Sequence, residues 1–397
     1  MGGSRSLTVR MYNVGFGDCF LVTFRDDATA WRMLIDCGVH NQGHSAHDIS
    51  DVVASVIEAA TGSDGPRIDV VVATHRHRDH ISGFEDDRWH QVNVGQVWLP
   101  WTEDPEDQEA LRLRQQHDAA ALALQSELAA DDECAQLAMN SLTNEQAMWT
   151  LQRGFSGTPR RRYLAASGMK REELPGLRQG YVYFLGPPRN EDALRDLNPP
   201  RAQRWFQATA GTRAGNPQPP FAQTFRIQPA EFAERYGDRI DLPSEKLLKR
   251  LLPTDVQPLA AASWLDRAIN NTSVLFVLEV GAARLLFPGD SQWGAWQELV
   301  DNPEVRALLR QVSVYKVSHH GSHNGTPTIL LREILPSSVT ALVSVHPVER
   351  WPKVPKAELI EALRAPNRTL VSSGDDVVSE PVRRHPDGLW IEVEIPT

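Results

Sequence analysis

Apolar positions in this chain gather into short β-branched runs broken by Gly, Pro, Asn and Asp. Leu7 to Val14 and Cys19 to Phe24 read as strands joined by the turn Gly15-Phe-Gly-Asp18, and Arg32 to Cys37 as a third, so an antiparallel sheet opens the fold. Ile49 to Ala60 reads as a helix that Ser45 or Asp48 can cap. Ile68 to Thr74 is too short and too β-branched for a helix and predicts a buried strand, and Val94 to Leu99 gives another run ending at Pro100. From Trp101 the pattern changes. Asp104-Pro105 resembles an N-cap with proline at the first helical position, and Leu111, Leu122, Leu128 and Leu137 among alanines predict helices to about Trp149. Tyr181-Val-Tyr-Phe-Leu-Gly-Pro-Pro188 returns to strand and turn, before a second insertion over about 196–262 with Pro217 to Pro220 and a helix from Glu245 to Leu251. Ser273 to Val280, Arg284 to Phe287, Val312 to Val317 and Thr340 to Val345 predict further strands, with helices at Trp293 to Val300 and Ala357 to Arg364. Leu389 to Ile395 is expected to close the second sheet. Strands with interspersed helices in two halves fit an α/β fold, a four-layer αβ/βα sandwich.

Directly behind the strand at Val70 come four metal-ligand side chains within six residues, His75, His77, Asp79 and His80. In an extended segment residues two apart project the same way, so His75 and His77 can share one ion while Asp79 and His80, past the bend, reach a second. Imidazoles with one hard carboxylate suit zinc, manganese or iron better than magnesium or calcium. Further on, Asp290 ends a strand after Pro-Gly, where it can also serve as a helix N-cap. His319-His320 follows the strand Val314 to Ser318, and alternation points adjacent side chains to opposite faces, so one of the pair is expected to bind. His323 reads as a loop residue, with proton donation as the alternative. His40, His44 and His47 lie in a polar loop and read as surface or substrate-facing histidines before any reading as ligands. Asp18 and Asp36 lie at turn and strand ends, as turn-capping acids do.

The H-x-H-x-D-H signature at His75 resembles that of the metallo-β-lactamase fold hydrolases. The resemblance extends to Asn13-Val-Gly-Phe-Gly-Asp-Cys-Phe20, Leu34-Ile-Asp-Cys-Gly38, Asn270-Asn-Thr-Ser-Val274, Leu285-Leu-Phe-Pro-Gly-Asp290 and Tyr315-Lys-Val-Ser-His-His-Gly-Ser322, and is similar to the subgroup of the ComEC nuclease domain and the phosphorylcholine esterases. It covers about residues 7–100 and 265–397. It implies two halves of the fold, 1–100 and 266–397, around an insertion at 101–265 that is helical over 103–150, basic over 153–213 and returns to the core sheet near 181–186. For Asp18 and Asp36 it implies support of the site, with weight equal to that of turn capping. It further implies that Asp290 bridges two divalent transition-metal ions, zinc or manganese, whose shared hydroxide attacks a phosphodiester. Asp79, Asp290, Lys316 and His323 are then the catalytic candidates. His75, His77, Asp79, His80, Asp290, His319 and His320 are the metal candidates, and Asn271 and Ser322, with Lys316, the candidates for substrate oxygens. Where the subgroup has Tyr-x-His-Pro, this chain has Trp351-Pro-Lys-Val-Pro355, with His346 nearby. An ester or lactone hydrolase of the same fold, and a partner-binding subunit with a vestigial site, are the rival readings.

Charge qualifies the substrate. The net charge of −10 argues against a chain coated for nonspecific nucleic-acid binding. Its distribution is uneven: residues 103–145 hold 11 acids against 2 basic residues, whereas 153–213 hold 12 Arg or Lys against 5 acids. Arg160, Arg161 and Arg162, among Phe155, Tyr163, Trp205 and Phe206, either track a phosphate backbone, making nucleic acid a partner, or pair with the acidic helices. The insertion also offers a surface for a protein partner. Cys19, Cys37 and Cys134 read as buried thiols of a reducing compartment. With no apolar stretch near 18 residues and no apolar core in Met1 to Ser6, a soluble cytoplasmic protein without membrane contact is expected. Gly2 with Ser6 reads as a frayed lead-in and not a myristoylation signal.

Overall fold

Val70 and Val72 face one hydrophobic core and Val71 another, which is why their strand is apolar without alternation: both of its faces are covered. The computed structural model describes residues 5–26, 29–41, 43, 47–127, 144–196, 199–205, 269–346, 348, 353–376 and 378–396. The expected helix from Glu245, the Pro217 segment, Phe206, His44 and Cys134 fall outside them, as does most of the second insertion.

In chain order the strands are β1 (Ser6–Tyr12), β2 (Cys19–Arg25), β3 (Ala30–Cys37), β4 (Thr61–Gly62), β5 (Gly65–Val72), β6 (Asn93–Pro100), β7 (Arg160–Leu164), β8 (Arg171–Glu173), β9 (Gly180–Phe184), β10 (Phe276–Val280), β11 (Ala283–Phe287), β12 (Val314–Lys316), β13 (Thr340–Val343), β14 (Thr369–Ser372), β15 (Val382–Arg384) and β16 (Trp390–Ile395). The helices are α1 (Ile49–Ala60), α2 (Arg78–Ile81), α3 (Gln108–Glu127), α4 (Glu145–Trp149), α5 (Glu191–Arg195), α6 (Trp293–Asp301), α7 (Pro303–Leu309) and α8 (Ala357–Leu363).

Among the described residues they form two mixed sheets. A nine-stranded sheet runs β15-β16-β1-β2-β3-β5-β6-β7, with β4 paired to β5, and a seven-stranded sheet runs β14-β13-β12-β11-β10-β9-β8. Each is antiparallel in one half and parallel in the other, the parallel parts being β3-β5-β6-β7 and β11-β12-β13-β14. One core, with Val9, Val22 and Val70 on one side and Phe276, Leu278 and Leu285 on the other, lies between the sheets. Val52, Val53 and Val56 of α1 cover the outer face of the first sheet, and Trp296, Leu308 and Leu359 of α6, α7 and α8 that of the second. The result is an α/β sandwich.

Two expectations change. The strand at Trp390 pairs with β1, Leu7 opposite Ile395, and so joins the first sheet instead of closing the second. The arginine segment 160–164 is itself a strand, lying parallel to β6 at the end of the first sheet, with Arg162 level with Trp98. No described helix is long and apolar enough to cross a membrane.

Candidate metal centre

The donor side chains follow the carboxyl ends of the parallel strands: Asp36 near the end of β3, His75 to His80 after β5, Asp290 after β11 and His320 after β12. In a parallel sheet this is the end at which loops, freed from the ladder, can converge. Val274 N–H donates to Thr74 O at 2.9 Å, stitching the loops of the two sheets together. The fit is close. Gly38 lies so near the motif loop that a β-carbon there would stand 2.5 Å from His80 N and 2.6 Å from Arg78 O.

Asp79, His80, Asp290 and His320, all buried, bring one ligand atom each to within 4.8 Å of one another. His80 Nε2 is 3.2 Å and His320 Nε2 3.5 Å from the same oxygen, Asp290 Oδ2, and His320 Nε2 is 3.4 Å from Asp79 Oδ2. His75 adjoins this set, its ring centroid 4.1 Å from that of His80. Its Nε2 lies 3.1 Å from His77 Nδ1, near the edge of about 3.3 Å that tetrahedral coordination at roughly 2.0–2.1 Å gives two imidazoles.

Each imidazole is oriented by the nitrogen turned away from the cluster. His80 Nδ1 is 2.8 Å from Asp36 Oδ2, His320 Nδ1 3.0 Å from Ser344 O, and His75 Nδ1 3.1 Å from Thr74 Oγ1 and 3.2 Å from Ser273 Oγ. Such partners fix ring orientation at metal sites. Asp36 is held in turn by the Thr74 N–H and hydroxyl, both at 2.7 Å. It has φ 56°, a left-handed conformation that aspartate tolerates better than most residues.

Burial would push the His80 and His320 imidazoles down. The carboxylates outweigh it: Asp290, Asp36 and Asp79 raise His80 well above its ordinary range, and Asp290 and Asp18 raise His320. For Asp290 burial works upward, but His80, His320 and Lys316 hold it well below the usual carboxylate range. His75 is depressed by burial and then by the neighbouring charges of His80 and His77. Protons thus balance the carboxylates, a task that a divalent cation takes over by displacing them. The donor set fits such an ion. Oδ1 of Asp79 and Nε2 of both His80 and His320 are buried with no hydrogen-bond partner, a costly arrangement that coordination relieves.

Lys316 is buried among the acids, donating to Gly289 O at 3.0 Å and Asp290 Oδ1 at 3.2 Å and pairing with Asp18 Oδ2. Burial alone would lower its pKa, but Asp18 and Asp290 raise it, so it stays an ammonium. It grips the acids and leaves no reach for a substrate oxygen. Asn271 is likewise engaged inward: its Nδ2 donates to Leu194 O at 3.1 Å and Asp196 O at 3.0 Å, while its Oδ1 accepts from Gln292 N–H at 2.9 Å. Ser322 Oγ is 2.7 Å from His319 Nδ1.

His319 and His320 do not alternate on a strand. β12 stops at Lys316, and both histidines are left-handed, at φ 50° and 49°. The turn sends His320 into the cluster and leaves His319 half-buried among Asn270, Gln292, Ser322 and Asn324. Burial lowers the His319 pKa to about 4. His323 is exposed and outside the clustered donors. His40 packs edge-on against Phe16, whose ring is 4.4 Å from that of His320, and half-buried His47 approaches Asp387 O at 2.8 Å.

Arg160, Arg161 and Arg162 stand apart from the cluster, and Arg160 and Arg162 line a cleft of about 590 Å³ with Gln96, Lys170 and Glu172. Arg162 pairs with Glu172 at 2.7 Å and lies over the Trp98 and Phe184 rings. Its acidic partner thus comes from β8 and not from residues 103–145. Comparison with protein-family models and with curated proteins found no match.

Proposed function

We propose that this chain is a two-metal hydrolase of the metallo-β-lactamase fold that cleaves a phosphodiester, with nucleic acid as the leading substrate class. The observation that carries this reading is the convergence of Asp79, His80, Asp290 and His320 in one buried cluster beside His75 and His77. When bound, zinc or manganese supplies an acidified water and charge neutralisation for the phosphoryl oxygens. The residues divide the remaining work. His75 and His77 would hold one ion and Asp79, His80 and His320 the other, with Asp290 Oδ2 facing the His80 and His320 nitrogens. Asp36, Thr74, Ser273 and the Ser344 carbonyl keep the imidazoles aimed, and Lys316 fixes the second oxygen of Asp290. Because these orienting groups are buried and already in place, the site is preorganised for developing negative charge.

Elemental analysis of the purified chain, paired with hydrolysis of bis-p-nitrophenyl phosphate, DNA, RNA and a lactone, tests the proposal. Close to two transition-metal ions per chain and diesterase activity are expected, with Asp290→Asn lowering both together. Full activity after complete metal removal would overturn it.

A further inference from the structure

The turn that sends His320 into the cluster sets its neighbour at the centre of a second group, made of amides and a hydroxyl. Asn270, Gln292, Ser322 and Asn324 all reach the His319 ring nitrogens. These four side chains are buried, and His319 alone keeps exposed surface, so the group opens outward at that ring.

Ser322 has one proton to give. With Asn324 Oδ1 as its acceptor at 2.8 Å, His319 Nδ1 donates to Ser322 Oγ at 2.7 Å, and Nε2 is left to accept from Asn270 Nδ2 at 3.4 Å. The Gln292 amide nitrogen then faces, at 3.4 Å, a ring nitrogen that is already a donor. Oδ1 of Asn270 and Oε1 of Gln292 are buried with no hydrogen-bond partner. Turning either amide end for end puts an unpaired nitrogen where the oxygen was, and the deficit stays. Buried ends of this kind are few in folded proteins, and a bound group completes them. Both amides sit on loops that carry the metal donors. Gln292 is two residues beyond Asp290, its N–H held by Asn271 Oδ1 at 2.9 Å. Asn270 O accepts from Ser273 N–H at 3.0 Å, and Ser273 Oγ in turn is 3.2 Å from His75 Nδ1. The His319 ring centroid lies 6.5 Å from that of His320, within the reach of one sugar unit.

We propose that Asn270 and Gln292, at the His319 ring, bind a hydroxyl on the sugar that carries the scissile phosphate, and so select ribonucleotide over deoxyribonucleotide diesters. This inference rests on the proposed phosphodiesterase reading and narrows its substrate. A phosphate oxygen offers only lone pairs and would meet two unpaired carbonyl oxygens. An ammonium would find no carboxylate among the four side chains. A hydroxyl both donates and accepts, so it matches an amide whichever end is presented. The 2′-hydroxyl is also the group by which a protein tells RNA from DNA. A hydroxyl on a small alkyl diester would use the same contacts.

The p-nitrophenyl esters of uridine 5′-phosphate and 2′-deoxyuridine 5′-phosphate, on the metal-loaded full chain, put this to the test. The uridine ester should be preferred by about tenfold or more in kcat/KM, the scale of leaving buried polar groups unpaired. Gln292→Met and Asn270→Leu keep the bulk, remove the amide and should bring that ratio towards one. Gln292→Met should do so without lowering the melting temperature, because the amide oxygen it removes has no partner in the fold. Calorimetric titration with uridine 5′-phosphate and 2′-deoxyuridine 5′-phosphate reads the same contact without turnover, and about a tenfold difference in Kd is expected. The 4-hydroxybutyl and butyl p-nitrophenyl phosphates separate the sources: a preference shared with the hydroxybutyl ester assigns any hydroxyl, and one confined to uridine assigns the ribose. Equal kcat/KM for the two nucleotide esters, or a uridine preference that survives both substitutions, overturns the subsite and leaves the diesterase standing. If no ester is cleaved the diesterase reading falls, and the titration still decides the hydroxyl contact.

Discussion

At the scale of single residues, the division of Asp290 between two kinds of cation is the most consequential feature. Oδ1 faces the Lys316 ammonium while Oδ2 faces His80 and His320. Lys316→Met would leave Asp18 and Asp290 buried against each other without their shared counter-charge. Breaking a buried pair from one side costs about 3–5 kcal/mol, so urea unfolding of the metal-free chain should show a loss of that order. A loss below about 1 kcal/mol, the range of surface pairs, would mean that these acids are already protonated. His320→Ala should abolish metal retention at its site and activity, whereas His319→Ala should be milder; equal, small effects would sink the assignment of His320 as ligand. The motif at His75 made the ligand types legible because their chemistry is local. Which of His319 and His320 enters the cluster was not, because the choice is made by two left-handed backbone residues after β12, and no side-chain alternation encodes that.

At the scale of elements, the strand ends at β3, β5 and β11 were readable from short apolar runs that give way to Asp36, His75 and Pro288. The partner of His80 was less so. Asp36 arrives from a different strand, and only the β3–β5 pairing brings it to the motif. Gly38 is what permits that approach. Gly38→Ala would drive a methyl into the backbone of α2, and overpacking of this kind costs about 1–3 kcal/mol; a lowered melting temperature with reduced metal occupancy is expected, and an unchanged melt would show that the loop gives way freely. The arginine run was read by charge alone, which hid its β-branched-poor but genuine strand β7. Pairing with β6 sorts the three: Arg160 is exposed, and Arg161 and Arg162 are half-buried. Arg160→Ala should change stability by less than about 0.5 kcal/mol. Arg162→Ala, losing both Glu172 and the Trp98 and Phe184 faces, should cost about 1 kcal/mol. A stability loss for Arg162→Ala with unchanged salt dependence of DNA binding would mark this edge as scaffold and not a phosphate track.

At the scale of the whole molecule, the described strands fall into two mixed sheets, and the last strand joins the first of them where the sequence suggested the second. Nothing in Leu389 to Ile395 distinguishes its partner: alternating burial suits the edge of either sheet, and the pairing with β1 spans almost the full chain. Deleting β16 would uncover Leu7, Val9 and Met11 and leave β1 as an open edge. That variant should lose its cooperative thermal transition and aggregate; a soluble chain with an unchanged melt would contradict the pairing.

The same pairing makes the two extremities of the fold close neighbours, since Leu7 lies opposite Ile395. Fluorophores placed just before β1 and just after β16 would therefore transfer energy efficiently only while the first sheet is closed, a spectroscopic ruler for folding that needs no substrate. A circular permutant that splices β16 into β1 through a short linker and opens the chain at the exposed Thr61–Gly62 segment would keep every pairing around the cluster. Its ability to take up metal would show whether the order in which the two sheets are synthesised matters to the site at all.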